Sequence, residues 1–234
     1  MRKIQNTKKL GKALIFDLDD TLYLESTFVK SGFFAAAAHI ESKYGVGKVF
    51  LEELIDIFKR DGRGKVFDSA LRKYGLYSRE LVKTLVEVYR SHTPNIKPYP
   101  GLYRLLASLR NRYHLAIITD GVSSAQRNKI RAIGVEKLFD LIIYTDDCGK
   151  GKAKPNMYAF KKAIRYFKVS PTKAVYIGDD PSKDFTGPKK LNMITIRVLQ
   201  GRFKDIKLPD TYEAEHTVRN IKEAIKLVEL LDNK

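Results

Sequence analysis

The chain has 234 residues, 44% hydrophobic and 30% charged, with 44 Lys and Arg against 27 Asp and Glu, a net charge of +17. This suits a soluble globular protein with one sizeable domain and room for a substantial insert. No apolar run approaches the roughly 18–20 residues of a membrane span, the single Cys148 excludes an intrachain disulfide, and the basic start (residues 1–5) runs into no apolar core. A cytoplasmic protein with no membrane partner is therefore expected. The basic residues are scattered, without zinc-finger spacing or an aromatic RNA-binding strand. They read as a solvated surface that also steers anionic small molecules, and nucleic acid is not expected as a partner.

In chain order, Ala13 to Phe16 form a short unbroken apolar run, as in a strand buried on both faces of a parallel sheet. Asp17, Asp19, Asp20 and Thr21 follow at once. Carboxylates crowded there resist burial unless a cation or a chemical task holds them. In open α/β sheets that end of the strands is also where ligands bind. Strand alternation puts Asp17 and Asp19 on one side, so that one can attack an electrophile while the other handles a proton. A helix N-cap would explain Asp20 or Thr21, but not all four residues.

About 70 residues of helical periodicity come next, predicting helices over 28–44, 49–58, 66–74 and 79–92 and closing in the breaker-rich run 94–101. The strand–helix rhythm then resumes. Strands are predicted over 114–119, 141–145, 174–177 and 193–198, and helices over 102–111, 124–133, 156–167 and 220–231. Such alternation argues for a parallel sheet covered on both faces, interrupted after its first strand by a helical module.

Four strand ends carry polar groups. The first offers Asp17 and Asp19; the second offers the Thr119 hydroxyl and the turn amides around Asp120 and Gly121, suited to phosphate oxygens. After the third lie Lys150, Lys152 and Lys154, a source of cations; the fourth offers Asp179 or Asp180, with Asp184. Oxygen-only donors suggest a hard cation, most often Mg²⁺.

Asp17-x-Asp19-x-Thr21, Thr119, Lys154-Pro155 and Gly178-Asp179 with Asp184, in that order, resemble the four motifs of the haloacid dehalogenase (HAD) superfamily. The resemblance is to the branch with a helical cap straight after the first motif, which includes phosphoglycolate phosphatase and β-phosphoglucomutase. It implies a Rossmann-like three-layer α/β/α core (1–23 and 98–234) with a parallel sheet, plus a small α-helical cap (24–97). Asp17 would be the nucleophile, and Asp19 the general acid and then base. Asp17, the Asp19 carbonyl, Asp179 and Asp184 would hold Mg²⁺. Thr119, Asp120 and Gly121 would bind the phosphoryl group, and Lys154 would offset its charge.

Because the dehalogenases lack the second aspartate, the resemblance implies a phosphatase of small phosphorylated metabolites. The alternatives are a phosphotransferase or phosphomutase on the same scaffold and, in another class, a basic nucleic-acid-binding or scaffold protein with a vestigial fold. A scaffold has no need for both Asp17 and Asp19. Arg63, in the turn 62–65, is a candidate cation for substrate specificity, set against an ordinary solvated helix–helix turn. Asp20 is expected to be structural, Asp120 to act more through its backbone than its carboxylate, and Asp146 or Asp147 to be loop residues able to orient the lysine.

Overall fold

A computed structural model describes residues 11–232; the basic start read above for a leader lies outside them. Six parallel strands form one sheet in the order β3-β2-β1-β4-β5-β6: β1 (Ala13–Phe16), β2 (His114–Thr119), β3 (Leu141–Tyr144), β4 (Ala174–Gly178), β5 (Ile194–Val198) and β6 (His216–Val218). β1 is central, with Phe16 in register with Ile117 on one side and Ile177 on the other. The chain runs outward to β3 and then restarts at β4 on β1's other side. The carboxyl ends of β1 and β4 therefore flank the crevice where the winding direction reverses.

Alternation along the buried strands sorts side chains into two layers. Leu14, Phe16, Ile117 and Ile177 face a cluster completed by α5 (Leu102–Leu109), α6 (Ser123–Ala132) and α9 (Ile221–Asp232). Ala13, Ile15, Ala116, Ile118 and Tyr176 face α7 (Tyr158–Phe167) through Ala159, Phe160 and Phe167. The result is the expected α/β/α sandwich.

Between β1 and β2 lie α1 (Glu25–Tyr44), α2 (Gly47–Asp61), α3 (Val66–Lys73) and α4 (Arg79–Ser91), which close around their own apolar cluster of Phe33, Ile40, Phe50, Leu54, Leu71 and Leu85. Gly45, at φ 68°, ends α1, and the Ser78 hydroxyl caps α4 by accepting from the Leu81 amide at 3.1 Å. The strands that enter and leave this insertion meet: Tyr23 bridges Pro98, and the Tyr99 amide donates to the Leu22 carbonyl at 3.0 Å.

Besides short 3-10 turns, a strand and a helix escaped the sequence. β6 is a three-residue, partly exposed edge strand, too short for alternation to register, and the four-residue α8 (Thr186–Lys189) contains a Gly-Pro pair. The segment between β5 and β6 is shaped by the buried Arg197, which pairs with Glu213 at 2.6 Å and donates to the carbonyls of Phe203 and Ile206 at 2.6 and 2.7 Å. The loop is thereby folded back over the carboxyl ends of the strands. Gly201, at φ 65°, touches Asp20 so closely that a Cβ there would lie 2.0 Å from the Asp20 Cγ, and only glycine fits.

Candidate active site

The loop after β1 is stitched to β4 by the Asp17 amide, which donates to the Ile177 carbonyl at 2.9 Å. This brings the Asp17 carboxylate against residues from two later loops. Asp17, Asp179 and Asp184, all buried, each present an oxygen within 4.8 Å of the others'. Gly178 makes room for this approach, since a Cβ on it would lie 2.4 Å from Asp184 Oδ2. The Lys154 ammonium enters the same cluster, donating to Asp17 Oδ1 at 2.6 Å, Asp184 Oδ1 at 2.8 Å and the Tyr176 hydroxyl at 2.9 Å. Of the three lysines left open above, Lys154 alone makes these bonds, whereas Lys152 lies over the Tyr158 ring.

The choice between Asp179 and Asp180 also closes. Asp180 Oδ1 accepts from the Ser182 amide and hydroxyl, capping its own turn, while Asp179 joins the cluster and accepts from Thr21 Oγ1 at 3.2 Å. Asp20 braces two chain segments, taking the Glu25 amide on one oxygen and the Arg202 amide on the other, at 2.8 and 3.0 Å. The Asp120 carboxylate does more than expected. Its Oδ1 accepts from Thr145 Oγ1 at 2.7 Å and from the Lys154 amide at 3.1 Å. The orientation foreseen for Asp146 or Asp147 thus falls to Asp120; those two instead bind Ser123, and Asp147 also binds Arg127.

Burial is the chief influence on the acids. It pushes Asp17 up to about 7, with Lys154 opposing and the Asp184 charge adding to the rise. It also pushes Asp179 well above the usual carboxylate range, again with help from Asp17 and Asp184. Asp184 stays below that range, because Lys154 and Lys183 outweigh its burial. Lys154, bonded to Asp17 and Asp184, and the nearby Lys183 are two cations against three crowded acids, a deficit that a divalent cation would fill. The donor set is all oxygen, and its spacing suits one octahedral Mg²⁺, whose opposite ligands stand about 4 Å apart. The residues fit that ion.

Asp19 turns away from this trio. Both of its oxygens accept from Lys129 at 2.8 Å, and it also takes bonds from the Tyr23 hydroxyl and, at 3.3 Å, from Gln126 Nε2. Burial pushes Asp19 up, but Lys129 and the Tyr23 hydrogen bond outweigh it and hold the acid below its ordinary value.

Above Asp17 and Asp19 lies a cavity of about 230 Å³. Its core wall includes Asp120, Gly121, Lys129 and Lys183; Glu25 and the ion-paired Arg63 close it from the insertion, and Arg202 and Phe203 from the loop after β5. Thr119 is 1% exposed and, like Lys154, stands behind that wall.

Sequence reasoning missed Tyr23, Gln126, Lys129 and Tyr176. A signal existed for Lys129. It falls at helical spacing from the buried Ala125 and Ile133, on the stripe of α6 that faces inward.

A model of the haloacid dehalogenase-like hydrolase family matches residues 14–198, from β1 to β5. The chain belongs to this family. Among its HAD relatives, a glyceraldehyde 3-phosphate phosphatase of Methanocaldococcus jannaschii is 30% identical over 230 residues, 94% of this chain and 98% of that protein. A phosphoserine phosphatase of Thermus thermophilus is 29% identical over 225 residues, 81% and 89% of the two chains. In fold, the chain resembles the HAD-hydrolase YfnB of Bacillus subtilis, solved bound to magnesium, with a TM-score of 0.64 and 20% identity over 95% of this chain and all of that one.

Proposed function

We propose that this HAD protein is a Mg²⁺-dependent phosphomonoesterase of small, cytosolic phosphorylated metabolites. The observation that carries the proposal is the buried Asp17–Asp179–Asp184 cluster, neutralised in part by Lys154, with Asp19 held separately two residues beyond Asp17. The phosphatase relatives support it. The chain divides into a core (1–23 and 98–234) and a helical cap (24–97) that closes over the reacting group and excludes water.

Asp17, Asp179 and the Asp19 carbonyl would hold Mg²⁺. Asp184, with both oxygens already hydrogen-bonded, would join through a spare lone pair or a water. When bound, the ion supplies charge neutralisation for the phosphoryl oxygens. The free oxygen of Asp17 attacks phosphorus, and the bond to the ester oxygen breaks. Asp19, in its protonated form, gives its proton to the departing oxygen, leaving an alcohol and an aspartyl phosphate. Water then attacks that phosphorus, Asp19 takes its proton, and phosphate and the Asp17 carboxylate are regenerated. Thr119, the Asp120 and Gly121 amides and Lys154 stabilise the transferring group.

At about 230 Å³, the cavity is smaller than the range of about 300–1,000 Å³ common for drug-sized ligands, which favours short-chain sugar or organic-acid phosphates. The net charge of +17 steers such anions inward. Phosphate release from glyceraldehyde 3-phosphate, phosphoserine, phosphoglycolate and hexose phosphates is expected with Mg²⁺ and lost in EDTA. Release that is indifferent to EDTA, or no release from any ester, would reject the proposal. Consumption of ester with the phosphate recovered on a second alcohol would identify a phosphotransferase instead.

Arg63 contributes to the choice of substrate, because it reaches the cavity wall from the cap while paired with Glu25. Arg63→Ala is expected to raise KM about tenfold for esters with an anionic leaving group, the scale of one lost charged contact. Unchanged kcat/KM on every active ester would remove Arg63 from the site.

A further inference from the structure

α7 packs on the sheet through Ala159, Phe160, Ala163 and Phe167, and its opposite face presents Tyr158, Lys161, Lys162, Arg165 and Tyr166. Both sets recur at helical spacing, so one stripe is apolar and the other basic and aromatic. The five outer residues are all exposed, the tyrosines at 43% and 60%, and together they line a groove of about 420 Å³. None of them lines the cavity above Asp17 and Asp19.

Surface helices ordinarily lace their cations with acids. On α2, Lys59 and Arg60 pair with Asp56 and Asp61, and Glu53 takes Lys73 of α3. α7 does the opposite. Residues 149–178 carry eight Lys and Arg and no Asp or Glu. Lys161, Lys162 and Arg165 make no ion pair among the described residues. Arg165 stands four and three positions after the two lysines, where like charges on a helix repel. Folding thus collects on one face a charge that looked scattered along the chain, and its counter-charge has to come from outside.

The tyrosines decide which kind of polyanion fits. They stand two turns apart, about 12 Å at the α-helical rise, with the three cations between them. Both rings are braced. Lys152 Nζ lies 5.1 Å from the centre of the Tyr158 ring, and Tyr166 packs edge-on against Phe167, which stacks on His114. An exposed ring flanked by cations is a platform on which a base stacks while its phosphates meet the charges. Carboxylates and lipid headgroups bring no flat ring to place there. Bases free to stack are those of single strands, which in RNA are the loops, bulges and ends that proteins read.

We propose that the outer face of α7 is a docking surface for single-stranded RNA, with phosphates along Lys161, Lys162 and Arg165 and unpaired bases on Tyr158 and Tyr166. This reverses the expectation of no nucleic-acid partner, which rested on the spread of basic residues along the chain. The surface is separate from the candidate active site, so the inference stands apart from the phosphatase reading.

The test is fluorescence anisotropy of a labelled oligouridylate without terminal phosphates, which offers the active site no monoester. The wild type is expected to bind with a slope of log K against log salt of about −2, the value for three phosphate contacts on a single strand. Lys161→Gln/Lys162→Gln/Arg165→Gln is expected to remove most of that slope. Tyr158→Ala and Tyr166→Ala are each expected to weaken binding about tenfold with the slope unchanged, the scale of one lost base–ring stack. Lys30→Gln/Lys83→Gln/Lys226→Gln removes three exposed cations from α1, α4 and α9. Because salt screens distant charges, that control is expected to change affinity less than about twofold.

Melting curves confirm that each variant is folded. No binding by the wild type at low salt, an equal loss in the control variant, or full affinity in both tyrosine variants would overturn the inference. So would displacement of the RNA by polyglutamate or anionic vesicles as readily as by unlabelled oligouridylate, which would leave a surface for any polyanion.

Discussion

Replacing Asp17 by asparagine is expected to lower Mg²⁺-dependent phosphate release by at least about 10⁴-fold, the scale of losing the proposed covalent nucleophile, whose partners cannot act without it. Asparagine has the shape of aspartate and keeps one oxygen for the bond now made to Lys154 Nζ. The Asp17 amide still meets the Ile177 carbonyl. Folding is therefore retained, and circular dichroism and melting should show it. What would be lost is the proposed nucleophilic oxygen and one proposed anionic ligand for the cation. A rapid-mixing experiment sharpens the point. The wild type should release one equivalent of p-nitrophenolate per site in a burst if hydrolysis of the aspartyl phosphate is slower than its formation, and Asp17→Asn should show no burst at all. Substantial steady turnover by the variant would mean that another group attacks phosphorus.

The second large effect is on stability. Lys154→Met removes the cation bonded to Asp17, Asp184 and Tyr176 in a fully enclosed cluster and leaves the acids facing one another. Deleting one partner of a buried ion pair costs about 3–5 kcal/mol, because the remaining charge is stranded without water. The expected result is a loss of that size in denaturant unfolding at neutral pH in EDTA, together with loss of turnover. Mg²⁺ should recover part of the stability, since a ligand bound only by the folded state stabilises by mass action and here replaces the missing positive charge. An unfolding midpoint unchanged in EDTA would show that the acids are compensated by other groups.

Much of this site was legible without coordinates. The unbroken apolar runs of β1, β2 and β4 could only be buried strands, and each ended in polar residues that burial would otherwise forbid. Order and spacing along the chain, read with the resemblance to the HAD motifs, pointed to Asp17, Asp19, Thr119, one of the lysines 150–154 and Asp179 or Asp180 with Asp184 at one edge of a parallel sheet. The helices of the insertion were equally visible because their apolar faces repeat with helical period. β6 was not, since three half-exposed residues carry no period.

Among near neighbours, only the tertiary structure decided which residue does what. Lys150, Lys152 and Lys154 are chemically alike, and cluster geometry selects Lys154. Asp179 and Asp180 are adjacent, but the second is used up by Ser182. Asp120 looked like a turn residue until Thr145 and the Lys154 amide converged on it from a loop 25 to 34 positions away. The grip of Lys129 on Asp19 spans 110 residues, and the brace from Arg202 to Asp20 spans 182.

The sequence by itself determined the fold class, the edge of the sheet where chemistry belongs and the residue types gathered there, because periodicity and the cost of burying charge act locally along the chain. The pairing of each charge with its partner was decided only by the tertiary structure. An ion pair or hydrogen bond depends on approach to within about 3 Å, and contacts at that range between distant segments are set by how the layers pack.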